Sequence, residues 1–442
     1  MNRRLAWLGS ALTLATIAVA CGSSSSNNPS PSQMGGDGGS SSGNASSGGG
    51  SSSGNTGSSS GQQGTSSSGS SSGSSGSDAG GNGSSGSTDG GTGTDGASTQ
   101  QGDAASPSSL PWLHVEGNLI KDSSGNTVVL RGVAIPDIGQ LDYYAMGPTG
   151  VSARIDEILP TSNPSLDTYV VRLPVYPETV FNGGSPTYSP EPYPVGTPAP
   201  ATHTPTPTVL SSADYVSQVL KPAVDYATSK NLYVIIDFHQ IDNVTSGSNN
   251  SSAAAVTFWN TVAPVFSSYS NVLFEAFNEP IDSALNGWNT AFQSAAQSWV
   301  TAIRSGAPNN IIVVGSPTWS QHPEGALTYP LTGGNLVFTA HIYPGNYPGG
   351  TTNTFQNHIT TAIASVPVFI TEWGYEIGTA SPTNNLATPN DTWAQNLQTF
   401  VNGNGASWTA WVADPSWGPP MFQKAGGLTD FGTFVQSWLA NP

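Results

Sequence analysis

The sequence predicts an α/β protein built as an eight-stranded parallel barrel with its helices outside, a (β/α)8 TIM barrel. Three observations predict it. From about residue 129 onward, short runs rich in β-branched and aromatic residues alternate with longer segments of helical character, the pattern of βα units around a parallel sheet. Eight such runs occur in order. Several end abruptly in a polar side chain beside a chain breaker, as in Val272-Leu273-Phe274-Glu275-Ala276-Phe277-Asn278-Glu279-Pro280 and Val368-Phe369-Ile370-Thr371-Glu372-Trp373-Gly374, so those side chains emerge at one end of the sheet.

In chain order, residues 1–21 come first. They open with Arg3 and Arg4, continue through an apolar stretch with small residues near its end, and finish at Cys21. The stretch is short and polar sequence follows directly, so it reads as a secretory signal rather than a span. The run Ala18-Val19-Ala20-Cys21 resembles a bacterial lipobox, with Ala18 where leucine is usual. Cys21 would then carry lipid and anchor the chain to the outer membrane without crossing it. The alternative is cleavage nearby and a freely secreted protein. Cys21 is the only cysteine, so no internal disulfide can form.

Residues 22–107 are nearly all Gly, Ser, Asn, Thr and Asp. Such a segment cannot bury enough apolar surface to fold and is expected to be a disordered linker, with a root-mean-square reach of about 50 Å. Residues 108–442 are long enough for one barrel and are expected to be the single folded domain.

Within that domain, 112–129 has turns at Gly117 and Ser124-Gly125-Asn126 and reads as a hairpin plugging the bottom of the barrel. The eight strands are expected at 129–135, 169–175, 232–238, 272–277, 311–315, 336–341, 368–371 and 407–412. Helices are expected at 153–159, 213–229, 253–267, 286–305, 355–365 and 392–402, with a closing helix at 433–439. No helical period stands out between the fifth and sixth strands. The proline-rich stretch 176–210 is a long connection without helical period. It either walls one side of a cleft, with Tyr188 and Tyr193 available for stacking on a ligand, or is a solvated insertion.

Charge narrows the partner. With 10 Lys and Arg against 27 Asp and Glu, the net charge is −17, which argues against nucleic acid or an anionic lipid surface and suits a neutral polysaccharide. Trp112, Trp259, Trp288, Trp319, Trp373, Trp411 and Trp417 are too many for all to be core, so some are expected in an open cleft.

The strand ends carry the chemistry. The second strand ends near Arg172, the third at Asp237-Phe238-His239, the fourth at Asn278-Glu279-Pro280, the sixth at His341-Ile342-Tyr343, the seventh at Glu372-Trp373-Gly374 and the eighth at Trp411. Two acids at one barrel mouth are the minimum equipment for cleaving a glycosidic bond: one protonates the leaving oxygen, the other meets the oxocarbenium-like carbon.

On these residues, the segment 129–413 resembles glycoside hydrolase family 5, the cellulase-type retaining barrels. The resemblance implies that Glu279 of Asn-Glu-Pro is the acid/base and Glu372 of Glu-Trp-Gly the nucleophile. Arg172, His239, Asn278, His341, Tyr343, Trp373 and Trp411 are implied as substrate-binding or supporting residues. Arg172, His341 and Tyr343 would hold Glu372 charged and oriented, Asn278 would bond the sugar 2-hydroxyl, and Trp411 would floor the sugar upstream of the broken bond. Glu279 would need its pKa raised by burial and by the second carboxylate. A carboxyl separation of about 5 Å would give retention of configuration. Glu275 and Asp237 read as structural. No cofactor is needed, and no metal site is expected from His239 and His341, which lie on separate strands without an evident third ligand.

The expected activity is therefore endo-cleavage of β-1,4-glucan by a monomer, extracellular or at the cell surface. β-Mannan, xylan or xyloglucan are alternative substrates for the same chemistry. A non-catalytic polysaccharide-binding lipoprotein is an alternative of a different class, one that would have no need of two strand-end acids with a supporting Arg and Tyr.

Overall fold

The structure, a computed structural model, describes residues 108–144, 148–162, 166–176, 212–245, 251–281, 287–344, 355–376 and 392–441. The readings made for residues 1–107, Cys21 among them, and for 177–210, including Tyr188 and Tyr193, lie outside the described residues. Among the described residues, no helix is long and apolar enough to cross a membrane.

An antiparallel hairpin comes first, β1 (Leu113–Glu116) and β2 (Leu119–Asp122), turning at Gly117 with φ of +62°, a value that favours glycine. The barrel strands are β3 (Arg131–Ala134), β4 (Val170–Val175), β5 (Tyr233–Phe238), β7 (Val272–Glu275), β9 (Ile312–Val314), β10 (Leu336–Ile342), β11 (Val368–Trp373) and β12 (Ser407–Ala410). Two short strands, β6 (Ile241–Asn243) and β8 (Glu279–Ile281), pair with each other above it. The eight barrel strands pair in parallel and close, β12 against β3. Every residue of β4, β5, β10 and β11 is buried, as expected for strands covered on both faces. All eight expected strands are present.

The hairpin plugs the barrel floor. Leu113 and Ile120 pack with Val170, Tyr233, Ile235, Leu273, Val313, Val337 and Phe369, residues near the N-terminal ends of the strands. Tyr233 donates its hydroxyl to the Pro111 carbonyl at 3.0 Å, and the Val115 amide donates to Asn335 Oδ1 at 3.0 Å. Burying this apolar layer closes one end and leaves the other for polar side chains.

Outside, the helix Thr290–Gly306 buries Phe292, Ala296, Trp299, Val300 and Ile303, one helical face. It starts four residues later than the expected 286, because Asn289 caps it by accepting from the Phe292 amide at 2.9 Å. Between β9 and β10 only a short turn, Pro317–Ser320, and a 3-10 segment, Pro323–Leu327, form. Thr318, Trp319 and Ser320 have φ of 59°, 54° and 54°, a left-handed run that costs roughly 1–2 kcal/mol per residue. Ser320 Oγ in return donates to the Asn278 carbonyl at 2.6 Å. The missing helical period in this stretch therefore reflects a bracket that fixes the end of the fourth barrel strand.

One irregularity positions the site. Thr339 pairs with Phe369, but His341 pairs with Glu372 rather than Thr371, so β11 carries one extra residue, a bulge. Side chains alternate along a strand, and the extra residue breaks that alternation. Thr371 and Glu372 both turn into the barrel, while Trp373 turns outward against Trp408, Phe431, Phe434 and Trp438.

Candidate active site

Above the apolar plug, the next inward-facing residues are Arg172 on β4, Asp237 on β5, Glu275 on β7, Thr339 on β10, Thr371 on β11 and Thr409 on β12, all completely buried. Arg172 is the hub. Its Nε donates to Glu275 Oε2 at 2.6 Å and its Nη2 to Glu275 Oε1 at 3.2 Å. The same Nη2 reaches Asp237 Oδ2 at 2.9 Å and Asn278 Oδ1 at 2.6 Å, and Nη1 donates to Glu372 Oε2 at 3.0 Å. Thr371 Oγ1 donates to Glu275 Oε1 at 2.7 Å, and Thr409 Oγ1 donates to the Thr371 carbonyl at 2.5 Å.

On this layer stand Asn278, Glu279, His341, Tyr343 and Glu372, all buried. Tyr343 donates its hydroxyl to Glu372 Oε1 at 2.5 Å. His341 Nδ1 lies 2.9 Å from Glu279 Oε1 and 3.9 Å from Glu372 Oε2, while its Nε2 lies 3.1 Å from Thr371 Oγ1. A carboxylate oxygen of Glu279, one of Glu372 and a ring nitrogen of His341 all lie within 4.8 Å of one another. Because Arg172 occupies Asn278 Oδ1, the amide of Asn278 is oriented with Nδ2 as its spare donor, and that nitrogen is buried with no partner among the described residues.

The electrostatics follow from the packing. Burial alone would discharge Arg172, but Asp237, Glu275 and Glu372 outweigh it and hold the guanidinium charged. Burial likewise opposes charge on His341, yet Glu372, Glu275 and Glu279 raise its imidazole to about 10. Burial would raise Glu275, but Arg172 and His341 bring its carboxyl below the ordinary value. Asp237 goes the other way: burial pushes it up, and Arg172 only partly offsets that.

An aromatic flank borders the acids. His239 donates from Nδ1 to Asp237 Oδ2 at 2.6 Å and stacks on Trp411, ring centroids 5.1 Å apart and planes within 7°. Half-buried Tyr176 and Trp417 extend this flank. Trp411 Nε1 donates to the Gly418 carbonyl at 3.1 Å, so the segment after β12 folds back and braces the ring. Of the seven tryptophans singled out, Trp259, Trp288, Trp373 and Trp411 are buried, and Trp112, Trp319 and Trp417 are half-buried.

The structure thus brings together Arg172, His239, Asn278, Glu279, His341, Tyr343, Glu372 and Trp411. Trp373 does not join them; the bulge sends it outward. Asp237, Glu275 and Thr371, which read as structural or unremarked in sequence, sit inside the network. The alternation Asp237/His239 and the spacing Glu275/Glu279 were the available signals for two of them. For Thr371 the signal was plain alternation from Phe369; it is Glu372 that the bulge turns inward.

Two buried acids over a charged layer at the strand ends of an α/β barrel are the arrangement that glycoside cleavage requires. The family model described as Cellulase (glycosyl hydrolase family 5) matches residues 166–416, and the chain belongs to that family. It is 28% identical over 224 residues to an endoglucanase of Clostridium saccharobutylicum, covering 50% of this chain and 47% of that one. It is also 28% identical over 221 residues to endoglucanase Z of Dickeya dadantii, covering 49% and 48%. The chain spans about half the length of these curated relatives. Its fold matches a β-glucanase of Saccharophagus degradans with a TM-score of 0.62 at 19% identity, covering 78% of this chain and 98% of that one. That β-glucanase has also been crystallised with cellotetraose.

Proposed function

We propose that the chain is a retaining, endo-acting β-1,4-glycanase whose preferred substrate is β-1,4-glucan. One observation carries the reading: carboxylate oxygens of Glu279 and Glu372 within 4.8 Å of each other. Retaining enzymes hold their acids about 5 Å apart, whereas inverting enzymes separate them by about 6.5–9.5 Å to admit a water.

In the first step Glu372 attacks the anomeric carbon as the glycosidic C–O bond breaks, and Glu279 gives its proton to the departing oxygen. Arg172 and Tyr343 fix Glu372 for that attack. This step requires a proton on Glu279, and the charge balance of the cluster leaves room for one. Arg172 and His341 are two cations facing four carboxyls, those of Asp237, Glu275, Glu279 and Glu372, so full ionisation would leave excess negative charge in a dry pocket. The ester formed on Glu372 carries no charge. Glu279 is then a carboxylate held by His341 Nδ1–H, and it takes a proton from water as that water's oxygen bonds the anomeric carbon. The ester bond breaks, Glu372 is restored, and two inversions sum to retention. Asn278 Nδ2 is the donor for the sugar 2-hydroxyl, and half-buried Trp417 and Tyr176, backed by Trp411, offer faces for sugar rings.

The names of the relatives and the cellotetraose complex of the S. degradans protein support glucan over mannan, xylan or xyloglucan. Reducing-end release from a panel of those four polysaccharides tests the choice, with Glu279→Gln and Glu372→Gln as controls. Activity only on mannan, or activity undiminished in either variant, would defeat the proposal. Binding of the panel polysaccharides without hydrolysis would instead favour a non-catalytic lipoprotein. The N-terminal segment extends the proposal: a monomer exported by residues 1–21, lipidated at Cys21 and tethered outside the cell by 22–107. Cys21→Ala should move the protein from the membrane fraction to the medium.

A further inference from the structure

Three side chains outside the paired acids converge without any role in glycoside cleavage. His322 and Glu324 belong to the stretch after β9, and His358 to the helix Phe355–Ile363 after β10. His322 Nδ1 lies 3.0 Å from Glu324 Oε1, and His358 Nδ1 lies 2.6 Å from the same oxygen. The two rings stand nearly perpendicular, 89°, with centroids 4.7 Å apart. We propose that His322, Glu324 and His358 form a binding site for a divalent transition metal, zinc by ligand preference, that cross-links the two segments.

Three features carry this beyond a hydrogen-bonded cluster. The ligand atoms already lie within 4.8 Å of one another. Zinc bonds to nitrogen and oxygen at about 2.0–2.2 Å imply ligand separations of about 3.3 Å in a tetrahedron, so opening the trio by about half an ångström admits the ion. Second, Glu324 Oε2 is buried and has no partner among the described residues, a carboxylate lone pair left for a cation. Third, the backbone that presents the ligands is fixed in advance. The His322 amide donates to Ser316 Oγ at 2.9 Å, and its carbonyl accepts from Trp288 Nε1 at 2.8 Å. Gly325 packs so tightly that a Cβ there would meet Trp288 Cδ1 at 2.0 Å.

Two imidazoles and one carboxylate suit zinc rather than calcium or magnesium, which prefer all-oxygen shells. With three protein ligands, the fourth position falls to water. The side chains are 20–28% exposed, so the ion can enter from solvent. The trio uses neither His239 nor His341.

The test is zinc titration of the full chain after stripping with a chelator, read by calorimetry and by metal content after dialysis. One zinc per chain is expected, with a rise in the thermal midpoint. His358→Ala and Glu324→Gln should each weaken binding by more than about 100-fold. Glu279→Gln should leave it intact, which separates this site from the buried Glu279, His341 and Glu372 trio. Cobalt(II) in place of zinc should give intense visible absorption in the unaltered protein, a readout that does not depend on any variant folding. No stoichiometric binding, binding that survives removal of both His322 and His358, or binding abolished by Glu279→Gln would overturn the proposal.

Discussion

Arg172 and Glu275 form a two-point ion pair sealed beneath the paired acids, Nε to Oε2 at 2.6 Å and Nη2 to Oε1 at 3.2 Å, with neither side chain exposed. A buried pair of this kind adds little net stability over an apolar replacement. Its consequence is orientation. With one edge of the planar fork fixed by Glu275, Nη1 faces Glu372 and Nη2 faces Asn278. Glu275 is therefore a positioning residue for groups it does not touch.

Lysine cannot reproduce that fork, because its ammonium is a single point charge. Arg172→Lys should lower kcat by about 100-fold or more with a smaller change in KM. Glu275→Gln keeps the shape but removes one charge of a buried pair, and should destabilise the fold by about 3–5 kcal/mol. Steady-state kinetics and urea unfolding separate the two effects. A Lys variant with unaltered kcat would remove Arg172 from the account.

Tyr343→Phe deletes one hydrogen bond to Glu372 and nothing of comparable bulk. A hydrogen bond to a charged group contributes about 1.5–3 kcal/mol, so kcat should fall by about 10- to 100-fold while the unfolding midpoint stays close to that of the parent. Loss of a donor that favours the ionised form of Glu372 should also move the acid limb of the kcat/KM profile to higher pH. A variant that unfolds early but keeps its pH profile would show a packing role instead.

His341 makes stability depend on pH in a defined direction. Its imidazole titrates near 10 in the folded protein and at about 6.5 when unfolded. The folded state therefore binds the proton more tightly. This contribution is complete below pH about 6.5, declines as pH rises and is gone above about 10. The stability difference between the parent and His341→Gln should shrink steadily across that window in urea titrations at successive pH values. A difference that widened with pH would contradict the imidazolium.

At Gly315, on the end of the fifth barrel strand, a Cβ would lie 2.3 Å from the Phe277 carbonyl oxygen and 3.0 Å from Pro280 Cδ. Backbone cannot yield there without moving Asn278 and Glu279. Gly315→Ala should cost about 1–3 kcal/mol of stability, the range for overpacking, and lower kcat as well. Unchanged kcat would mean that the Asn278–Pro280 turn tolerates displacement.

Much of this site is legible in the sequence, because barrel geometry makes strand ends converge and the polar residues there are few. Glu279 and Glu372 follow from apolar runs that stop at an acid beside a breaker, and the roles of Arg172 and Tyr343 from the resemblance to family 5 barrels. What stayed hidden depends on departures from strand alternation and from ordinary helix formation. The bulge at His341 and Glu372 reverses the facing of Trp373, a residue that motif reading had set beside the substrate. The left-handed turn at Thr318–Ser320 leaves no periodic trace in sequence, since it is fixed by tertiary contact with Asn278. Glu275 looked like an ordinary strand residue because its partner, Arg172, is 103 positions away.

The central claim is that Glu372 forms a covalent bond to the sugar while Glu279 exchanges the proton. A 2-deoxy-2-fluoro cellobioside with a good leaving group should stall the reaction at that ester, and peptide mass spectrometry should find the added disaccharide on Glu372. Label on Glu275 or Glu279, or turnover of the reagent with no trapped protein, would contradict it.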